Sequence, residues 1–488
     1  MKISVKYSVL FGLILFSFSA IAAPNKATNI ILILADDVSP DKFGLYKQAA
    51  AVLTPNIDKL AHQGVAFKTA YATAMCGPSR VQLMTGKYAN STGVYHNSIW
   101  LENSHNNVYS NFDNFAIALK KQGYASAITG KWHAGNQMPY EKELAFDEYA
   151  LWVNDKHAHD MGDKTVFNGA YEDQKTPSRY WHPSYAVNGK RLKTKPTDFS
   201  LDIEVDFIND FIKRQSKENK PFLVYWPTVA PHGARKGMPT TPHRGDVGEM
   251  GKTNKKETAA RFDALIEYLD YSVGQVIKNL EELGELDNTV IIFVSDNGTA
   301  VTAKTRGVER GPQVAAIMSG AGIKSRGLSN ELTDFTDIAP TIVDIASQGR
   351  SKVRYDFDGT SLYAYLQGET DVHRDWIYGY ISGSQIFRTK THLLEVVNPM
   401  LGLPDGRLYS TGDNRFQQGY QRLKETDINY SKAMGEFTPL LQKFSALSKE
   451  HPYFSTKKGK KFVKEYLRSK SKNKHLYNHK DYKFYDES

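Results

Sequence analysis

Four short apolar runs, each closing on charged or amide residues, constrain this chain more than any other feature. Asn29-Ile30-Ile31-Leu32-Ile33-Leu34 ends in Ala35-Asp36-Asp37. Tyr124 to Thr129 runs into Gly130-Lys131-Trp132-His133, and Pro221 to Trp226 leads to Ala230-Pro231-His232-Gly233. Thr289 to Val294 stops at Ser295-Asp296-Asn297-Gly298. Short apolar runs suit strands buried on both faces. Helical patterns lie between them. Thr54 and Pro55 open a short helix, as cap and first position. Asn114 to Gln122 ends at Gly123, and Asp198 to Gln215 is helical. Glu257 to Leu283 repeats Leu265, Leu269, Val273, Val276, Leu280 and Leu283 at helical spacing before Gly284. Val314 to Met318 reads as a further strand and Asp334 to Ala346 as a further helix. Strands alternating with helices predict an α/β sandwich on a largely parallel sheet. Met138 to Pro196 breaks the pattern and reads as long loops with short elements. After His373, short Tyr-, Thr- and charge-rich segments predict a smaller α+β subdomain with an antiparallel sheet and a helix. The expected organisation is a signal peptide over 1–22, a catalytic domain over 23–372 and a C-terminal subdomain with a basic tail over 373–488.

The signal peptide rests on Lys2 and Lys6, an apolar stretch from Val9 to Phe18, and the small residues of Ser19-Ala20-Ile21-Ala22. That stretch is too short for a membrane span, so no membrane anchor is expected and the protein reads as periplasmic or secreted. Cys76 is the one cysteine, so an exported chain has no internal disulfide. Formal charge is +9, and losing Lys2 and Lys6 gives 9 − 2 = +7. The excess concentrates between Thr456 and His475, where Glu465 is the only acid. Such a run is a solvated tail or a hold on a polyanion. Export, and no accompanying motif, argue against nucleic acid.

Cys76 stands before Gly77-Pro78-Ser79-Arg80, a turn opening into a helix with Pro78 at its first position. Arg80, four residues on, shares that face and brings a cation toward the sulfur. The helix N-terminus adds unpaired N–H groups.

In open α/β sheets ligands bind beyond the carboxyl ends of the strands. If the four strands are parallel, Asp36, Asp37, Lys131, His133, His232, Asp296 and Asn297 meet at one edge. The acids and the amide are hard oxygen ligands that suit Ca²⁺, less well Mg²⁺, and not zinc. Arg80, Lys131, His133, His232 and Lys304 supply positive charge or protons. A divalent cation among such groups describes a site for a tetrahedral oxyanion. Each motif alone has a plainer reading as a turn, cap or packing residue; their joint arrangement carries the weight.

Cys76-Gly77-Pro78-Ser79-Arg80, continued by Leu83-Met84-Thr85-Gly86, resembles the signature of the type I, formylglycine-dependent sulfatases, within the alkaline-phosphatase-like superfamily. Gly130-Lys131-Trp132-His133-Ala134-Gly135, Ala35-Asp36-Asp37, Pro231-His232 and Ser295-Asp296-Asn297-Gly298 are similar to further family motifs in the same order. The resemblance runs from Asn29 to about Leu366. It implies an α/β/α catalytic domain and a Cys76 oxidised to Cα-formylglycine by a separate maturation enzyme. It also implies one Ca²⁺ held by Asp36, Asp37, Asp296, Asn297 and residue 76. Arg80, Lys131 and His133 would orient and activate residue 76. His232 and Lys304 would bind sulfate, with His232 donating the proton to the leaving alcohol. The implied reaction has a hydrated aldehyde oxygen attack sulfur in line with the departing ester oxygen. Two stretches depart from the pattern: Glu309-Arg310-Gly311-Pro312-Gln313-Val314, and Arg407-Leu408-Tyr409-Ser410.

The expected substrate is a sulfated oligo- or polysaccharide, with algal polymers such as carrageenan preferred to glycosaminoglycans or ulvan. Tyr95, His96, Trp100, Arg179, Tyr180, Trp181, His182 and Arg306 are candidate sugar or second-sulfate contacts, because aromatic faces stack on sugars and arginine pairs with sulfate. A formylglycine-dependent phosphodiesterase or phosphonate hydrolase, and a non-catalytic binder of sulfated glycans, stay open as alternatives.

Overall fold

The computed structural model describes residues 26–46, 52–97, 99–100, 108–153, 178–233, 237–248, 254–300, 303–305, 307–381, 383–414, 419–444, 455–457, 459–461 and 463–464. The expected signal peptide and most of the basic tail lie outside the described residues.

The first strands are β1 (Asn29–Ala35), β2 (Val65–Tyr71), and a small hairpin of β3 (Val94–His96) and β4 (Ile99–Trp100). Then come β5 (Ala125–Gly130), β6 (Glu148–Trp152), β7 (Tyr185–Val187), β8 (Lys190–Arg191), β9 (Phe222–Pro227) and β10 (Thr289–Ser295). β11 (Gln313–Val314), β12 (Ala316–Gly320) and β13 (Gly327–Asp334) complete the main sheet. Its order is β11-β2-β12-β10-β1-β9-β5-β6-β7-β8, with β13 on β2. The central strands β10, β1, β9, β5 and β6 are mutually parallel. Antiparallel β12 and β7 flank them.

The continuous apolar run of β1 is explained by burial on both faces. Ile30, Leu32 and Leu34 pack with Ile338, Ile342 and Val343 of the helix Ile338–Ser347. Ile31 and Ile33 face Leu265, Leu269, Val273 and Val276 of the helix Lys255–Glu282. Removing any one of these side chains from water stabilises the fold by roughly 1.5–3 kcal/mol. The result is the expected α/β/α sandwich.

The short elements expected within Met138 to Pro196 include β6, which continues the parallel sheet, and β7 and β8, which extend it antiparallel. Other local expectations need correction. Val314 to Met318 is two short strands, both antiparallel to β2. The Cys76 helix spans Cys76–Thr85, so Pro78 takes the third position, where its missing N–H still costs nothing. Thr54 precedes Pro55–Gln63 but makes no side-chain cap; its hydroxyl donates to Asp58 at 3.1 Å. The other helices lie close to where their periodicity placed them.

A second, antiparallel sheet contains β14 (Trp376–Ile381), β15 (Ser384–Thr389), β16 (His392–Val397), β17 (Arg407–Ser410) and β18 (Gln421–Leu423). Phe437 and Leu440 of the helix Tyr430–Lys443 pack on it against Phe387 and Leu394. Buried ion pairs join it to the main body: Arg388 to Glu309 at 3.1 Å, and Arg374 to Asp337 at 2.9 Å. Glu309 therefore serves this junction, also accepting from the Tyr71 hydroxyl at 2.7 Å.

Glu204, on the helix Ser200–Lys217, is fully buried. Burial pushes its carboxyl up to about 7, against hydrogen bonds from Trp226, Tyr185 and Thr228. The folded state therefore holds a proton that the unfolded chain releases near the ordinary glutamate value. This contribution is fully present below that value and is lost as pH rises toward 7. Its size is on the order of 3 kcal/mol. Glu204→Gln should melt progressively higher relative to the parent as the buffer moves from pH 5 to pH 8. A melting difference that does not change with pH would refute this.

Candidate active site

Backbone hydrogen bonds carry the sheet one residue beyond its central strands. Asp296 N–H donates to Ala35 O at 2.9 Å, Asp36 N–H to Ala230 O at 2.9 Å, and Lys131 N–H to Pro227 O at 2.6 Å. The loops after β1, β5, β9 and β10 are thereby fixed side by side. Gly130 allows this approach: its φ is +107°, and a Cβ would lie 2.4 Å from Pro227 O. The Cys76 helix enters the same edge from β2. Ser79 locks its start, donating to Thr73 O at 3.0 Å and accepting from Thr73 N–H at 3.1 Å. Asn97, in the turn after β3, accepts from Gly77 N–H at 2.9 Å.

The charged side chains interlock. Arg80 is fully buried; its Nε and Nη2 donate to Asp296 Oδ2 at 3.1 and 3.0 Å, and Nη2 lies 3.4 Å from Asp36 Oδ2. Its Nη1 donates to Lys131 O at 2.6 Å. Lys131 Nζ pairs with Asp36 Oδ2. Lys304 Nζ donates to Asp37 Oδ1 at 2.5 Å and lies 2.8 Å from Cys76 Sγ. That sulfur faces Asp36 Oδ1 at 3.5 Å and Asp37 Oδ1 at 3.7 Å. His232 Nε2 lies 3.3 Å from Asp37 Oδ2. Behind it, Arg179 Nη1 is 2.7 Å from His232 Nδ1 and donates to Gly233 O at 2.9 Å. His232 Nδ1 also lies 2.7 Å from Gly233 O, so it meets a guanidinium that only donates and a carbonyl that only accepts, and these two contacts favour opposite ring tautomers.

These neighbours set the protonation states. Burial raises the Asp36 carboxyl, but Lys131, His232, Arg80 and Lys304 outweigh it and hold the group well below the ordinary value. Burial, with Asp36 beside it, raises Asp296. Burial pushes the Cys76 thiol up, and the three carboxylates add to this against Lys131. His133 is exposed to solvent, but its imidazole is crowded by surrounding protein atoms, and that desolvation, then the Lys131 and Arg80 charges, lowers it from the ordinary histidine value. Burial also lowers His232, aided by Lys131 and Arg179 and opposed by Asp36 and Asp37.

The donor set fits a hard divalent cation. Ligand atoms of Asp36, Asp37, Cys76 and His232 lie within 4.8 Å of one another. Asp37 Oδ2 and Asn297 Oδ1 are buried acceptors without a hydrogen bond, the kind of orphan oxygen that a cation satisfies. Asn297 Nδ2 donates to Asp37 Oδ1 at 2.7 Å. Asp296 stands behind this group, accepting from Asp37 N–H at 3.0 Å.

A cavity of about 270 Å³ opens onto the cluster, lined by Cys76, Asn97, Lys131, Trp132, His133, Trp152, Arg179, His232 and Lys304. Of the suggested sugar contacts among the described residues, only Arg179 lines it. Tyr180 and Trp181 are corrected to packing residues, 0% and 4% exposed. The Tyr180 hydroxyl donates to His232 O at 2.7 Å, and Trp181 Nε1 to Thr240 O at 3.0 Å. Neither ring has a face free for a sugar. Tyr95 is likewise buried, its ring 4.7 Å from that of Tyr380. His96 is half-buried in β3, its imidazole pushed down to about 4 by burial. His182 is half-buried, its N–H bound to Asp198 O at 2.9 Å. Arg306 and the Trp100 side chain lie outside the described residues. Asn97, Trp132 and Trp152 were absent from the candidates; an aromatic at a strand end was a usable signal for Trp152, whereas Asn97 carried none.

The α/β/α sheet, with an acidic, cation-flanked cluster at its carboxyl edge, has the alkaline-phosphatase-like fold of solved sulfatases. The Sulfatase family model matches residues 28–348, and the chain belongs to that family. It is 30% identical to human N-acetylgalactosamine-6-sulfatase over 299 residues, covering 58% of this chain and 52% of that protein. The match thus spans about half the length of that relative. An ulvan-active sulfatase of Formosa agariphila is 28% identical over 384 residues, covering 76% of this chain and 64% of that protein. Among solved structures, Ps i-CgsB superposes with a TM-score of 0.64 at 23% identity, covering 86% of this chain and 92% of that one. It has also been solved in complex with k-i-k-neocarrahexaose.

Proposed function

We propose that this protein hydrolyses sulfate esters of a carbohydrate, releasing inorganic sulfate. The observation that carries the reading is Cys76 Sγ, held 2.8 Å from Lys304 Nζ and facing Asp36 and Asp37 inside a cation-lined cavity. Family membership and the carbohydrate sulfatases among the relatives support it. Formylglycine at position 76, installed by a separate maturation enzyme, would supply an aldehyde-hydrate oxygen where the sulfur now stands. Asp36, Asp37, Asp296, Asn297 and residue 76 would hold Ca²⁺, which would polarise that oxygen and the sulfuryl group.

The chain's own groups do the rest. Arg80 and Lys131 hold Asp36 ionised and orient it. Lys304 and Lys131 place positive charge where the sulfuryl oxygens gain negative charge. His133, kept neutral, is available as a base toward position 76. His232, which lines the cavity with Nε2 3.3 Å from Asp37 Oδ2, would be the proton donor for the leaving sugar oxygen. Export to the periplasm or beyond would bring the enzyme to polymeric substrates, among which carrageenan-type galactans remain the preferred choice.

Sulfate release from defined sulfated oligosaccharides, run beside phosphodiester hydrolysis, tests the reading. Sulfate release should dominate. Faster phosphodiester turnover would assign the alternative hydrolase activity, and saturable polysaccharide binding without release would assign a binding protein. A second expectation concerns the metal. Ca²⁺ at about 100 times its Kd should stabilise the protein by roughly 2.7 kcal/mol against thermal unfolding. Mg²⁺ should do less, and Asp37→Ala should remove the shift. Equal stabilisation of the parent and Asp37→Ala would place the ion elsewhere.

A further inference from the structure

The cations lining the cavity, and Arg80 buried behind them, are not equivalent. Arg80 is paired with Asp296 and Asp36, Lys131 with Asp36, and Lys304 with Asp37. Arg179 faces no carboxylate among the described residues. Its contacts are neutral: Gly233 O at 2.9 Å, His232 Nδ1 at 2.7 Å, and the Trp152 ring, whose centroid lies 4.9 Å from Cζ. Only Nη1 is engaged in hydrogen bonds among the described residues, which leaves the Nε and Nη2 donors for a ligand.

Its placement separates it from the reaction centre. His232 turns Nε2 toward Asp37 and Nδ1 toward Arg179, so an imidazole ring stands between Arg179 and the acidic cluster. Arg179 still lines the same cavity as Cys76 and Lys304. Trp152 is itself fixed, its Nε1 donating to Ser178 O at 3.0 Å. A guanidinium stacked on a fixed indole and tied to a backbone carbonyl is pre-organised, so little rotamer entropy is lost when it binds. Its planar fork matches a sulfate or a carboxylate.

We propose that Arg179, supported by Trp152, forms a second anion subsite that reads an additional negative group on the sugar beside the sulfate being cleaved. The proposal rests on the carbohydrate sulfatase reading. The group is a second sulfate ester or a uronate carboxylate, two sources of one chemistry. The inner cations take the scissile sulfate, and Arg179 selects sugars of higher charge.

The test compares the parent, Arg179→Ala and Arg179→Lys on four substrates: an aryl sulfate, a monosulfated disaccharide, its disulfated counterpart and a monosulfated disaccharide carrying a uronate. Arg179→Ala should lose ~10–100-fold more kcat/KM on the matching doubly charged sugar than on the monosulfated one. That extra loss should lie in KM, and Arg179→Lys should recover part of it. Whichever doubly charged sugar shows the gap identifies the anion. An equal loss on all four substrates overturns the subsite and leaves Arg179 a positioning residue for His232. Calorimetric titration in the Cys76→Ala background gives an independent readout. The disulfated or uronate sugar should bind ~10–100-fold tighter than the monosulfated one, and Arg179→Ala should remove the difference. A difference that survives Arg179→Ala overturns the proposal even if no substrate is turned over. By contrast, a parent protein that releases no sulfate from any ester overturns the sulfatase reading itself.

Discussion

Replacing Cys76 with serine, in a host whose maturation enzyme oxidises only cysteine, is expected to lower sulfate release by about 10⁴-fold or more while leaving the fold intact. The surroundings of residue 76 explain the size of the effect. An unmodified thiol here is a poor nucleophile, because burial and three adjacent carboxylates oppose its ionisation. A serine hydroxyl in the same place meets the same burial and the same carboxylates, which oppose its ionisation as they oppose the thiol's. An aldehyde hydrate offers a second hydroxyl on the same carbon, so the sulfated adduct can collapse without water attacking sulfur again. The fold should persist because the helix is anchored through Ser79, Arg80 and Asn97 rather than through Sγ. Sulfate release by ion chromatography, with melting temperature as control, provides the measurement. Mass spectrometry of the parent peptide should report an aldehyde at position 76. Undiminished release from Cys76→Ser would refute the mechanism.

The legible part of the fold was the part with long or repetitive patterns. β1 announced itself as an unbroken Ile/Leu run because both of its faces are covered, and the Lys255–Glu282 helix through its leucine spacing. That four strand ends meet depends on something no local pattern contains: β10, β1, β9 and β5 are adjacent, in that order, and parallel. Motif order and chemistry anticipated the convergence; the pairing itself is long-range. β6, β7 and β8 were legible only as short elements of unassigned type, because strands of two to five residues near a sheet edge carry almost no periodicity. Tyr180 and Trp181 misled for a related reason. Aromatics in a polar loop look available to a sugar until distant carbonyls, those of His232 and Thr240, are found to occupy their polar ends. Arg179 sits beside them in sequence yet faces the cavity, a distinction that side-chain direction makes and composition does not.

Arg80 carries the second large effect. It joins Asp36 after β1, Asp296 after β10 and the Lys131 carbonyl after β5, with no exposure to solvent. Arg80→Ala therefore leaves carboxylates in the interior without their partner, and a loss of about 3–5 kcal/mol is expected. Asp36 keeps Lys131, so most of the penalty falls on Asp296, whose carboxyl burial already raises. Without Arg80 that carboxyl is raised further, and the folded state retains its proton to higher pH than the unfolded chain does. Stability of the variant then falls as pH rises from the ordinary carboxylate range through the raised value, so its deficit should shrink on acidification. Arg80→Lys keeps the charge but not the fork, and should fall between the parent and Arg80→Ala. Arg80→Ala/Asp296→Asn removes both charges and should regain part of the loss, which separates an unpaired charge from a simple cavity. Denaturant melts in chelator, at pH 5.5 and pH 8, provide the comparison. A double variant no more stable than Arg80→Ala, at either pH, would mean that the arginine holds the strand ends together by packing and by its bond to the Lys131 carbonyl, and that its charge contributes little.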